Sequence, residues 1–114
     1  MYNEPLTFEV VSGSALDTRI FRLHGPITLT SLFEFQKALI AGTEKLTILD
    51  FTESPYLDSA GLGTILNFYV SGRRHGRDIR LVAVNYRVNE LLKLTKADTL
   101  IKSYDSIEAA EANR

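Results

Sequence analysis

Ser59 is the side chain whose position makes chemistry most plain. It lies in the run Leu49-Asp50-Phe51-Thr52-Glu53-Ser54-Pro55-Tyr56-Leu57-Asp58-Ser59-Ala60-Gly61-Leu62-Gly63, which joins an apolar strand to a helix through a short loop. A hydroxyl at a helix start lies among backbone N–H groups that have no intrahelical partner, at the end of the helix that stabilises anions. The hydroxyl can cap the helix, a role that contributes about 1 kcal/mol, or it can carry a phosphate. Asp58 competes for the same cap. If Asp58 takes it, Ser59 occupies the first helical position and its hydroxyl stays available.

Other candidate chemistries are weaker. Asp50 and Asp58 form a carboxylate pair that acid/base work or a magnesium site could use. Acids at strand ends and helix caps are common, however, and two without a third ligand do not make a metal site, so no metal is expected. Gly61 and Gly63 inside a helix each cost about 1 kcal/mol relative to alanine. The surrounding residues match neither the phosphate-loop pattern nor a full dinucleotide fingerprint, so close approach to a neighbouring backbone or a partner is the expected reason for them, and no cofactor is expected. The string Asp58-Ser59-Ala60-Gly61 resembles part of a hydrolase nucleophile elbow, but Leu57 stands where that motif requires glycine. Of the possible bases, His24 ends a strand and His75 lies about 20 Å along the helix from Ser59. An enzyme is therefore not expected. Arg73 and Arg74 read as a solvated last helical turn, where cations complement the helix dipole.

The elements that must position Ser59 follow from pattern and turn chemistry. Leu6 to Val11 and Thr18 to Leu23 read as a hairpin around Ser12-Gly13-Ser14 and Asp17. Gly25 and Pro26 stop the second strand. Ser31 and Glu34 predict a capping box before a helix from about Leu32 to Ala41, closed by Gly42. Leu46-Thr47-Ile48-Leu49 is a short apolar run expected of a central strand buried on both faces, ending at Asp50. Leu62, Ile65, Leu66 and Tyr69 fall at helical spacing and predict the core-facing stripe of the next helix, which ends near Gly76. Ile79 to Val84 reads as a strand, Asn85 as the cap of a helix bearing Val88, Leu91 and Leu92, and Thr99 to Tyr104 as a last strand. Asp105 and Glu108 then cap a final helix. The order predicts an α/β fold, a mixed sheet of about five strands, parallel in its later portion, packed with about four helices.

Bulk properties bound the function class. A chain of 114 residues with 45% hydrophobic residues suits one domain over 1–114 and a conventional core. Thirteen basic and 14 acidic residues give a net charge of −1, which offers no footprint for nucleic acid or an anionic membrane surface. The absence of cysteine removes disulfides, thiolate metal ligands and a thiol nucleophile. Met1-Tyr2-Asn3-Glu4-Pro5 has neither a basic start nor an apolar h-region, and no run reaches membrane-spanning length, so no membrane insertion and a cytoplasmic address are expected.

Leu49-Asp50-Phe51-Thr52 followed by Leu57-Asp58-Ser59-Ala60-Gly61-Leu62-Gly63 resembles the signature of the STAS domain, and within it the bacterial anti-sigma factor antagonists. Val88-Asn89-Glu90-Leu91-Leu92-Lys93-Leu94-Thr95 is similar to the third helix of that family, and the likeness extends to the terminal Ser106-Ile107-Glu108-Ala109-Ala110. The resemblance implies a regulator in transcription that works by partner switching. Unmodified protein would bind an anti-sigma factor with serine kinase activity and release the sigma factor. Phosphorylation of Ser59 would end that binding, and a phosphatase would restore it. Asp50 would support the site, and the partner surface would comprise Asp58, Ser59, Ala60, Gly61 and Leu62 with Gly25, Pro26, Ile27 and Thr28. The chain departs from the family after Gly25, where antagonists commonly carry acids and this sequence has Pro26-Ile27-Thr28. The alternative implied is a constitutive STAS interaction module of a signalling scaffold or transport-associated complex.

Overall fold

Alternating apolar positions and a left-handed turn residue start the chain as a hairpin. In the computed structural model, which describes residues 5–112, β1 (Thr7–Ser12) pairs antiparallel with β2 (Thr18–His24), and Asp17 takes a positive φ of 60° in the connection. The first four residues of the expected leader-free start lie outside the described residues. Helix α1 (Phe33–Ala41) crosses to β3 (Leu46–Glu53), α2 (Ser59–Arg73) to β4 (Asp78–Val82), and α3 (Tyr86–Leu94) to β5 (Ser103–Tyr104); α4 (Ile107–Ala112) follows. The strands lie in the order β1-β2-β3-β4-β5, parallel from β2 onward. This is the expected α/β arrangement.

Strand periodicity sorts the core into two layers. On one face Phe21, Leu49, Phe51, Ile79 and Leu81 meet Phe35 and Leu39 of α1, Leu62, Ile65 and Phe68 of α2, and Val88 and Leu92 of α3. On the other, Ile20, Leu46, Ile48 and Val82 are covered by Ala110 of α4. As expected, β3 is central, with Leu46 to Leu49 buried throughout. Arg19 is buried with them. Its Nε donates to Thr47 Oγ1 at 2.9 Å, and its terminal nitrogens donate to the carbonyls of Ala38 and Leu39 at 3.0 and 2.7 Å, satisfying orphan acceptors at the end of α1. Its guanidinium faces the rings of Phe21 and Phe68. Burial pushes its pKa below the ordinary arginine value, opposed by the nearby Glu44 carboxylate.

Four local expectations change. The buried row of α2 is Leu62, Ile65 and Phe68 with Thr64, whereas Leu66 and Tyr69 are half-buried on its flank, so the stripe is rotated by about one residue from the expected one. The Ser31–Glu34 capping box does not form. Helix α1 begins at Phe33 with no side-chain cap, because the Ser31 hydroxyl turns back to the carbonyl of Pro26 at 3.0 Å. Strand β4 stops at Val82 because Ala83 takes a left-handed φ of 59°. The expected strand from Thr99 shrinks to Ser103–Tyr104, since Ala97–Thr99 closes a 3₁₀ turn in which the N–H groups of Leu100 and Ile101 both donate to the Ala97 carbonyl.

Candidate functional site

Two loops at the carboxyl ends of β2 and β3 are stitched together before α2 begins. The N–H of Gly25 donates to the Glu53 carbonyl at 3.0 Å, the Ile27 N–H to the Tyr56 carbonyl at 3.0 Å, and the Asp58 N–H to the Ile27 carbonyl at 3.1 Å. The buried Ser54 hydroxyl adds a bond to the Gly25 carbonyl at 2.6 Å. Gly25 has a φ of +94°, and a Cβ there would sit 2.8 Å from the Pro5 carbonyl oxygen, so both conformation and space require glycine. A two-residue parallel bridge, Ile27 with Leu57, results.

Asp58 then joins both loops to the helix. Its extended backbone makes it the N-cap of α2; Oδ1 accepts from the Gly61 N–H at 2.8 Å and Oδ2 from the Leu29 N–H at 3.0 Å. With the cap taken, Ser59 is the first helical residue. It is exposed, and its hydroxyl has no hydrogen-bond partner among the described residues. The N–H groups of Ser59 and Ala60 have no intrahelical acceptor and lie at the positive end of the dipole, so added negative charge on Ser59 is electrostatically favoured.

The two glycines of the first turns differ in kind. A Cβ on Gly61 would meet the Ile27 carbonyl oxygen and Leu57 Cδ1 at 2.7 Å, so α2 can approach the 25–28 loop only without a side chain there. This is the close approach expected from its position. A Cβ on Gly63 would meet nothing within 4 Å.

The expected site residues are therefore neighbours, but they do not all face outward. Pro26, Ile27, Gly61 and Leu62 are buried and form the floor; Ser59 is presented to solvent, with Asp58, Ala60, Gly25 and Thr28 partly so. Asp50 is half-buried and its Oδ1 accepts from the N–H and hydroxyl of Thr52 at 2.9 and 2.6 Å, with no hydrogen bond to Ser59. Its carboxylate rigidifies the end of β3. His24 lies between Glu9 and Glu53, at 3.2 and 3.6 Å, and His75 follows the last turn of α2; neither hydrogen-bonds Ser59. One contributor escaped the sequence reading. Ser54 holds the loop pair together, for which its place before Pro55 was the available turn signal. Leu29, next to Thr28 on the expected partner loop, places an exposed apolar side chain beside Asp58.

Comparison with known proteins points the same way as the motif. The family model of the STAS domain matches residues 10–110. A protein of Thermotoga neapolitana, named an anti-sigma factor antagonist and a homologue of TM1081, is 38% identical over 77 residues, which span 67% of this chain and 66% of that protein, just under two thirds of its length. The crystal structure of TM1081 from Thermotoga maritima superposes with a TM-score of 0.80 at 25% identity, covering 93% of this chain and 92% of that one. The anti-sigma factor antagonist SpoIIAA in its unphosphorylated form shares the fold, with a TM-score of 0.75 at 17% identity over 95% of this chain and 96% of that one.

Proposed function

The chain belongs to the STAS domain family, and from that premise we propose that it is a non-enzymatic, cytoplasmic antagonist of an anti-sigma factor, switched off by phosphorylation of Ser59. The observation that carries this reading is the division of labour at the start of α2. Asp58 performs the cap, and the exposed Ser59 hydroxyl is left with no structural duty. A phosphoserine adds about −1.5 to −2 charges and three acceptor oxygens. At this helix end the added charge meets a favourable dipole and the orphan N–H groups, so the domain keeps its fold. The partner's surface, packed against Ser59, Thr28 and Leu29, would instead meet bulk and desolvated charge, a penalty of several kcal/mol and thus of orders of magnitude in affinity. The nucleotide that supplies the phosphate belongs to the partner kinase, and a phosphatase resets the switch. Bacillus SpoIIAA, of the same fold, has been solved in a phosphorylated form, which supports a phosphate on this architecture.

The test is affinity capture with unmodified protein as bait, followed by phosphosite mapping after incubation with the captured partner and ATP. The expected partner is an anti-sigma factor with serine kinase activity, and the expected phosphate maps to Ser59. A second reading, a constitutive interaction module, is favoured by one observation: Pro26-Ile27-Thr28 stands where antagonists commonly carry acids, and a sulfate transporter family protein of Wolinella succinogenes shares this fold. Capture of a partner that adds no phosphate and binds the Ser59→Asp variant equally well selects that reading.

A further inference from the structure

The two edges of the sheet are finished differently. On one side β5 covers only Leu81 and Val82 of β4. The N–H groups of Leu81 and Ala83 donate to the Lys102 and Tyr104 carbonyls, so the Ile79 N–H, two residues earlier, faces the same edge; it is already taken by Asp78 Oδ1 at 2.8 Å. That edge is blunted. On the other side β1 runs against β2 in unbroken register from Thr7 to Ser12, with no bulge, proline or lysine and with Glu9 as its one charge.

The inner pairing of β1 fixes which of its groups face outward. The Gly13 N–H donates at 2.9 Å to the carbonyl of Thr18, the next residue pair of the same register, so Gly13, Val11, Glu9 and Thr7 turn their backbone groups to β2. The Gly25 N–H, which donates to Glu53 beyond β3, gives the same alternation from the other side of β2. The N–H and carbonyl groups of Phe8, Val10 and Ser12 therefore point away from the sheet, without a hydrogen-bond partner among the described residues. The Phe8 ring packs 5.6 Å from that of Phe21 and 6.0 Å from that of Phe35, and Val10, next on the same face, is 48% exposed.

We propose that this edge binds a second copy of the chain, antiparallel about a two-fold axis at Val10, so that two five-stranded sheets become one. The strand is complementary to itself in that register. Val10 meets the second copy's Val10 and Phe8 meets its Ser12, so every outward N–H and carbonyl of β1 is matched. On the opposite face Glu9 lies across from Val11, and its carboxylate, 3.2 Å from His24 Nε2 of its own chain, has a counter-group against the diagonal carboxylate of the second copy. An axis at Glu9 would set two carboxylates directly opposite, and one at Val11 would leave Phe8 facing Ser14 in the turn. Head-to-tail growth would need the β4 edge, which is blunted, so the pairing closes as a dimer. The interface uses no residue of the Ser59 site and is independent of that reading.

The test is sedimentation equilibrium and amide hydrogen exchange on the full chain across a range of concentrations. One strand pair makes a small interface, so a dimer that dissociates on dilution is expected. Protection of the Phe8, Val10 and Ser12 amides should fall by at least about tenfold on dilution, while Glu9 and Val11, bonded within the chain, should not follow. In a mixture of labelled and unlabelled chains, a cross-interface NOE between the α-protons of Glu9 and Val11 reads the register. Val10→Pro removes an outward donor that β2 does not use, and Val10→Lys sets like charges across the axis; each should weaken the dimer at least about tenfold with β1–β2 NOEs retained. Val70→Lys, the same exchange at an exposed site of α2, should leave affinity within about twofold. A chain still monomeric at about 1 mM, a dimer that keeps its affinity in both Val10 variants, one weakened by Val70→Lys and not by Val10→Lys, or NOEs of another register would overturn the proposal.

Discussion

The two ends of α2 solve opposite problems. At its start five backbone and side-chain bonds tie residues 25–29 to residues 53–58, and Asp58 closes the set on the helix. The Ser59 hydroxyl stands outside this network. At its other end the chain turns through Gly76 at a φ of +70° into a strand whose outer edge is half bare, and cations gather beside that edge. A tight network with one spare hydroxyl suits a modification that must not disturb the fold. The dipole of one helix favours negative charge at the first end and positive charge at the second.

The contrast can be broken most severely at Gly61. Gly61→Val would drive branched carbons into the Ile27 carbonyl and Leu57, and should lower stability by about 3 kcal/mol or more in denaturant unfolding. Little change would mean that helix and loop are not in the close contact described. Next comes Asp58→Ala, which removes the N-cap and the bond to Leu29; a loss of about 1–2 kcal/mol is expected, and NMR shifts should reach residues 27–29 across the loop pair. Shifts confined to α2 would sever the link between the loops. At the far end, Gly76→Ala forces a side chain into a left-handed turn but meets no atom within 4 Å, so about 1 kcal/mol is expected from conformation alone. Gly63→Ala should have the smallest effect and the opposite sign, a gain of up to about 1 kcal/mol from helix propensity at an open position. A loss there would show a neighbour that the open geometry does not contain.

Much of this architecture was legible because its signals are local. The central position of Leu46 to Leu49, the caps at Asp58 and Asn85, and the alternation of strand and helix each depend on residues within a few positions. For Ser59 the local sequence allowed two placements, as the cap or one residue past it, and the structure takes the second. What escaped depends on distant groups. The core row of α2 is set by where the sheet lies beneath it, which favours Phe68 over Tyr69. Ser31 has the spacing of a capping box, but the Pro26 carbonyl competes for its hydroxyl. Arg73 reads as a solvated end of a helix, yet the shortness of β5 puts it on the wall of a cleft. Asp50 sits at the right place in the motif, while its carboxylate is spent on Thr52.

Ser59→Asp tests the central claim most directly when stability and partner affinity are measured on the same preparation. An acid at the first helical position faces the favourable end of the dipole, so unfolding free energy should stay within about 0.5–1 kcal/mol of wild type. Affinity for the captured partner should fall by about a hundredfold, the equivalent of roughly 2.7 kcal/mol at the interface. A variant that loses stability by more than about 2 kcal/mol, or one that stays folded and binds as tightly as wild type, would contradict a switch that acts on the surface and spares the fold.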